Sequence, residues 1–343
     1  MTGKISKKFF DENIISRLGS ESDDIVVRPE NGVDVGIIKS GDNYIAVTTD
    51  PVSININFGL ERAAWFAFHI LLSDLYTAGM RGGYMSIDLN LPLKMTDSEF
   101  KIIWDVINRE CEKYGISIIA GHTARYSGTD YPMIGGATLF SIGKKYITTK
   151  NARPGDKIIL AGSAAMQTAC MLLYAFPEYS KNKLDDNTIN EINNLFYKLT
   201  CVNAEIISIN FGIYNRVTSM HDCTEGGILN AAYEIGMASG NGIYINADKI
   251  LVYNSVKRIC KIFNINPLRT ISEGTLLITV RPEYADDLIS QLNKGGIDAS
   301  IIGEVLDKSS GIKMDCMGKK IDINPEDDQI WTALEKYREM GVR

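Results

Sequence analysis

Apolar and polar positions change period several times along this chain, and each change marks an element. Tyr44 to Thr49 alternates and is rich in β-formers, which predicts a strand closing at Asp50-Pro51, and Leu60 to Met80 has helical length with few breakers. Tyr84 to Leu91 returns to a period of two, Thr96 is placed to open a helix through Tyr114, and Ile116 to Ala120 reads as a further strand. The result is a strand, crossover helix, strand unit. The second half repeats that order, with Thr275 to Val280 as a strand, a helix from Pro282 to near Asn293, and Ala299 to Val305 as the returning strand. Ahead of them, Gly226-Gly227 leads into a helix from Ile228 to near Ala238.

The run Asn151-Ala-Arg-Pro-Gly-Asp156 reads as a turn or linker, and Lys181 to Glu191 as a surface loop or helix start. At roughly 150 residues per domain, the 343 residues suggest about two domains. The expected division is residues 1–150, residues 151–325 and a C-terminal tail, 326–343. Both main parts read as α/β, although no repeat is strong enough to prove duplication.

Composition is that of an ordinary globular protein, so charge decides more. With 36 basic against 42 acidic residues the net charge is −6, which leaves no positive field for a polyanion and excludes nucleic acid as the main partner. The apolar stretch Ala63 to Leu72 is interrupted by His69 and stops at Ser73-Asp74, short of the ~20 residues that span a bilayer. The first ten residues lack the apolar core of a signal peptide, and the expectation is a cytoplasmic protein without a membrane partner. Six widely spaced cysteines without a CxxC pair read as buried free thiols; Cys223 alone lies inside a motif.

Three groups of residues carry candidate chemistry. Asp34 sits between glycines, Asp50 ends a strand and Asp74 interrupts an apolar helix; converging, they would form a hard-oxygen site suited to Mg²⁺. Separately, each can serve a turn, a cap or a backbone amide. Met220-His-Asp-Cys-Thr-Glu-Gly-Gly227 precedes a helix: Thr224 can cap it, Gly226 and Gly227 admit a close ligand, and first-turn amides favour an anion. An ordinary capped helix is the plainer reading. Gly121-His-Thr123 follows a strand, where ligands of open α/β sheets sit, and His122 suits a base, a phosphate donor or a structural bond equally. Glu273 and Glu304 stand near two more strand ends. No GxxxxGK[ST] loop, GxGxxG turn, GxSxG elbow or HExxH pair occurs, so a bound nucleotide would rely on metal and carboxylates.

Taken in order, Asp222-Cys-Thr-Glu-Gly-Gly227, Asn266-Pro-Leu268, Ser272-Glu-Gly274 and Ile302-Gly-Glu304 resemble the AIR-synthase-related, PurM-type ATP-binding superfamily, densest toward its HypE-like hydrogenase-maturation branch. In the first half, Thr48-Thr-Asp-Pro51, Ser73-Asp-Leu75 and Gly121-His-Thr123 match, with Ser73-Asp-Leu75 nearer the thiamine-monophosphate kinase form. The resemblance covers about residues 25 to 307. It implies a two-lobed PurM-like α/β (α+β) fold, whose N-terminal domain contributes strands to a barrel shared in a homodimer. It implies ATP and Mg²⁺ as cofactors, with metal on Asp34, Asp50 and Asp74. Nucleotide contacts fall to Thr49, Asp50, Asp74, Gly121, Thr123, Thr224, Gly226, Gly227 and Glu273, and catalytic roles to His122, Asp222 and Glu225. His122 stands where the family commonly has an acidic residue, and no cysteine closes the chain to carry a carbamoyl group. The expected activity is therefore phosphorylation of an oxygen on an unidentified small-molecule or protein acceptor. The alternatives are a non-catalytic nucleotide-binding accessory protein and a small-molecule kinase like thiamine-monophosphate kinase.

Overall fold

The computed structural model describes residue 5 and residues 7–342. Internal contacts divide the chain into two compact units. The smaller holds residues 23–28 and 34–146; the larger holds the described residues up to 22, residues 29–33 and the described residues from 147 onward.

Helix α1 (Lys7–Asn13) belongs to the larger unit. The smaller unit then runs β1 (Ile25–Val27), β2 (Gly36–Ser40), β3 (Asn43–Ser53), α2 (Leu60–Thr77), β4 (Gly83–Pro92), α3 (Asp97–Tyr114), β5 (Ile116–Tyr126) and β6 (Met133–Gly143). Its sheet has the order β1-β2-β3-β6-β4-β5, and the β4–β5 pair, joined across α3, is parallel. Local signals set the ends of α3: Thr96 and Glu99 close a capping box, and Gly115 takes the left-handed conformation at φ 68°. Helix α2 has apolar residues on most faces and packs against β3 and α3.

Two strands are longer than the sequence predicts. β2 stops pairing at Val47, so beyond it β3 has a neighbour on one side only; there Pro51, which lacks an N–H, continues the strand opposite Gly136. β5 passes Ala120 to Tyr126 because β4 offers partners as far as Pro92, although these residues form an exposed sheet edge with no apolar pattern.

The larger unit contains β7 (Lys157–Ala161), α4 (Met166–Ala175), α5 (Pro177–Lys183), α6 (Asp186–Asn194), α7 (Val202–Gly212), β8 (Val217–Asp222), α8 (Gly227–Ser239), β9 (Gly242–Asn246), α9 (Asn254–Ile262), β10 (Leu276–Val280), α10 (Ala285–Lys294), β11 (Ala299–Leu306), β12 (Ile312–Cys316), β13 (Lys319–Asp322) and α11 (Gln329–Glu339). Its sheet has the order β13-β12-β9-β11-β7-β10-β8. β10 and β11 both run antiparallel to β7 between them, so the α10 crossover skips a strand. All residues of β8 and β10 are buried; β10 is apolar except for Thr279, whereas β8 carries Thr218, Ser219, His221 and Asp222, and its Thr218 and Ser219 hydroxyls meet the Thr279 hydroxyl at 2.6 Å. The polar stretch 181–191 holds the end of α5 and the start of α6, capped by Asp185. Residues 326–343 carry α11, whose Tyr337 ring packs 4.8 Å from Phe263 and 5.5 Å from Tyr179. Among the described residues, no helix is long and apolar enough to cross a membrane.

The smaller unit buries one ionisable pair, His69 of α2 with its Nε2 3.4 Å from Glu110 Oε2 of α3. Burial, the largest influence, pulls His69 below the usual imidazole value, so a neutral ring donates to Glu110. Burial opposes ionisation of Glu110, but the His69 bond and the Lys113 and Arg109 charges outweigh it and hold the carboxyl at about 2. Both groups bind protons more readily when unfolded, so their contribution is present above the unfolded imidazole value of 6.5 and is lost as pH falls. Urea midpoints should therefore drop below that value and again below 4.5, the unfolded value of Glu110. Glu110→Ala, which leaves the buried His69 N–H without its acceptor, should cost about 2 kcal/mol in the same measurement and flatten the acid limb.

Candidate functional site

In the smaller unit, alternation along β3 puts Thr48, Asp50 and Val52 on one face and Thr49 and Pro51 on the other. The Thr48 hydroxyl donates to Asp74 Oδ2 at 3.1 Å, and the Thr77 hydroxyl to the Asp74 carbonyl at 2.7 Å. A strand carboxylate and a helix carboxylate thus belong to the same side of the sheet, both half-buried, with a hydroxyl that fixes one of them. Asp50 also borders an apolar cavity of about 10 Å³ between α2, α3 and the sheet, too small for more than a single water. Asp34 is half-buried on the segment leading into β2. These carboxylates offer only oxygen donors, which suit a hard divalent cation such as Mg²⁺ better than a softer metal, but among the described residues the three do not gather within ligand distance of one another.

Thr49, expected beside Asp50, turns away from it. Its hydroxyl donates to the Ala137 carbonyl and accepts from Thr138, each at 3.1 Å. Gly121, His122 and Thr123 do not lie beyond a strand end; they pair with Ile87, Asp88 and Leu89 in the interior of β5. Gly121 is needed there, since a Cβ would stand 2.9 Å from the Ile87 carbonyl oxygen. His122 is exposed, with Nε2 2.9 Å from the Tyr126 hydroxyl.

In the larger unit, β8 delivers His221 and Asp222, both buried, to the start of the β8–α8 turn. His221 Nε2 lies 2.8 Å from Glu234 Oε2 of α8, and Nδ1 3.9 Å from Asp222 Oδ1. Cys223 ties the turn to the next loop, its N–H donating to the Thr275 carbonyl at 2.8 Å and its own carbonyl accepting from Ser272 at 3.1 Å. Thr224 and Glu225 are half-buried. Thr224 is not the helix cap: Gly226 and Gly227, at φ 79° and 65°, start α8 two residues later, and Thr224 offers its carbonyl to the Gly227 N–H at 3.0 Å. Several amides at the helix start are already engaged. The Gly226 N–H donates to Asp328 Oδ2 at 2.6 Å and the Leu229 N–H to the Leu268 carbonyl at 3.3 Å. Neither the Gly226 nor the Gly227 amide is left for a phosphate.

Glu273 is buried beside this turn, its N–H donating to Gln167 Oε1 at 3.2 Å, whereas Glu304 pairs across strands with Lys157 at 2.6 Å. Sequence reasoning does not single out Glu234 or Asp328, and it meets Thr48 only inside the Thr48–Pro51 match. Alternation around Asp50 could have singled out Thr48, and Asp328 carries the cap signal of α11, but nothing local announces a partner 102 residues away.

Two α/β units, each presenting carboxylates from strand, turn and helix positions, define the class of protein. The chain belongs to the AIR synthase related family: residues 32–141 match the model of its N-terminal domain and residues 153–315 that of its C-terminal domain. It is 27% identical over 335 residues to a putative hydrogenase expression/formation protein of Methanocaldococcus jannaschii, covering 96% of both chains. Among solved structures, a ThiL complexed with AMPPCP and TMP superposes at a TM-score of 0.70 and 20% identity, over 94% of this chain and 97% of that one. The hydrogenase maturation protein HypE in complex with ATP gives 0.63 at 18% identity, over 94% and 92%. The fold is thus the PurM-type fold.

A Cβ on Gly227 would stand 2.5 Å from the Thr270 carbonyl oxygen in a left-handed conformation. Gly227→Ala should therefore lower stability by about 2 kcal/mol or more, read as a reduced urea midpoint, because strain and close approach add.

Proposed function

We propose that this protein binds ATP with Mg²⁺ and transfers the terminal phosphoryl group to an oxygen of an acceptor. Family membership and the ligands named for HypE and ThiL support the reading, and one observation carries it: Thr48 fixes Asp74 on the sheet face that also bears Asp50. Mg²⁺ held by Asp50 and Asp74, with Asp34 as a further ligand, would neutralise phosphate charge. The rest is positioning, since phosphoryl transfer asks little covalent work of the protein. In the smaller unit Thr48 keeps one oxygen of Asp74 directed, and the exposed His122 is available to donate to a phosphate. Gly121 and Thr123 of the same strand, and Thr49, would line the nucleotide's path. In the larger unit Asp222 and Glu225 would orient or deprotonate the acceptor, with Thr224 and Glu273 beside them.

A homodimer fits the same reading. β5 is an unpaired sheet edge eleven residues long, exposed along most of its length, with Ile119 at 58% exposure. The acceptor is a small molecule or a protein side chain.

Titration calorimetry should give ATP binding that vanishes with excess chelator, and Asp50→Ala and Asp74→Ala proteins that remain folded should each bind at least about tenfold more weakly. Unchanged affinity in both would end the metal-site reading. Tight binding without ADP release across small acceptors and cell extract would instead identify a non-catalytic accessory protein.

A further inference from the structure

We infer that Asp328 is a positioning residue: its carboxylate clamps the Asp222–Gly227 turn to the 268–273 loop in the one arrangement that turnover requires. The functional half of this statement rests on the reading above; the structural half does not.

Asp328 immediately precedes α11 and is buried. Oδ1 accepts from the Ile330 N–H and from the Thr270 hydroxyl, both at 2.9 Å, while Oδ2 accepts from the Gly226 N–H at 2.6 Å. Capping α11 needs only the Ile330 bond. The other two join elements far apart in sequence, the turn that carries Asp222, Thr224 and Glu225 and the loop that carries Glu273. Burial pushes the Asp328 carboxyl above its usual range, and the surrounding donors offset that only in part. Helix capping alone does not call for a carboxylate so far from water; a clamp that needs two oxygens does.

The chain around Asp328 is fastened to the first turn of α8 and to residues 266–269. Arg269 Nη1 donates to the Asn324 carbonyl at 3.0 Å and pairs with Glu326 at 3.3 Å. Asn230 Nδ2 donates to the Glu326 carbonyl at 3.1 Å and Asn230 Oδ1 accepts from the Glu326 N–H at 3.4 Å, while the Asn266 N–H donates to Gln329 Oε1 at 2.8 Å. The chain from Asn324 to Gln329 is thus a strap over the start of α8, and Asp328 is its buried pin.

Substitution separates capping from clamping. Asn caps a helix as well as Asp, so Asp328→Asn can keep the Ile330 bond, but its amide then turns a donor toward the Gly226 N–H. Asp328→Ser also caps and is too short to reach Gly226. In the full chain, hydrogen exchange of residues 223–229 and 268–272 should quicken by about tenfold or more in both variants, the factor for losing a bond to an ionised group, while β7 and β10 stay protected. ADP formation per ATP site titrated in the same sample should fall by a similar factor, with KM for ATP changed less than about threefold. Unchanged exchange overturns the clamp, and faster exchange with unchanged turnover overturns the positioning role. If the unaltered protein binds no ATP, the phosphoryl-transfer reading fails, and exchange alone still decides whether Asp328 holds the turn.

Discussion

An ionised carboxylate removed from water must be met by donors, and the larger unit is organised around that demand. Asp156, fully buried at the start of β7, accepts from the Arg153 N–H at 2.9 Å, from the Thr218 hydroxyl on β8 at 2.7 Å and from Arg281 after β10 at 3.1 Å. One side chain thereby fixes one end of three neighbouring strands. Asp328 does the same at the start of α8. Apolar packing of β7, β8 and β10 supplies most of the driving force, but it is tolerant of sliding. The carboxylates are not, because a shift of one residue would strand a charge without its donors.

Elements whose signals lie within a few residues were legible in the sequence. The helix from Asp97 to Tyr114 has its capping box and terminal glycine written locally, and the α2 run lacks breakers over its whole length. Strand ends were less legible, since they depend on where the neighbour stops: Pro51 looked like a terminator until β3 proved one-sided beyond Val47. The expected helix cap at Thr224 failed for a related reason. Two glycines at positive φ reset the start of α8, and a residue's suitability for capping says nothing of whether the backbone delivers it to the cap position.

The candidate site divides along the same line. Asp50 and Asp74 stood out because a carboxylate in an apolar strand or helix demands an explanation, and alternation then accounts for Thr48 serving Asp74 while Thr49 serves the opposite face. Which face of β3 meets α2 is not written in β3 itself. The partner of the Gly226 amide was beyond reach for a stronger reason, since it belongs to a segment that sequence reading set apart as a tail.

The glycine turn before α8 illustrates why a motif needs its surroundings before it means chemistry. Small residues ahead of a helix are read as room for a phosphate, because the helix end carries partial positive charge. Here the close approaches at Gly227 are to Thr270, and the charge at the helix end is met by Asp328. A second anion brought to those amides would face that carboxylate at short range, where like charges repel strongly in a poorly hydrated setting. On the phosphoryl-transfer reading, the negative charge of a triphosphate therefore falls to a cation on Asp50 and Asp74. On the same reading the α8 turn would contribute shape, a support for Asp222 and Glu225, with the Gly226 and Gly227 amides already engaged.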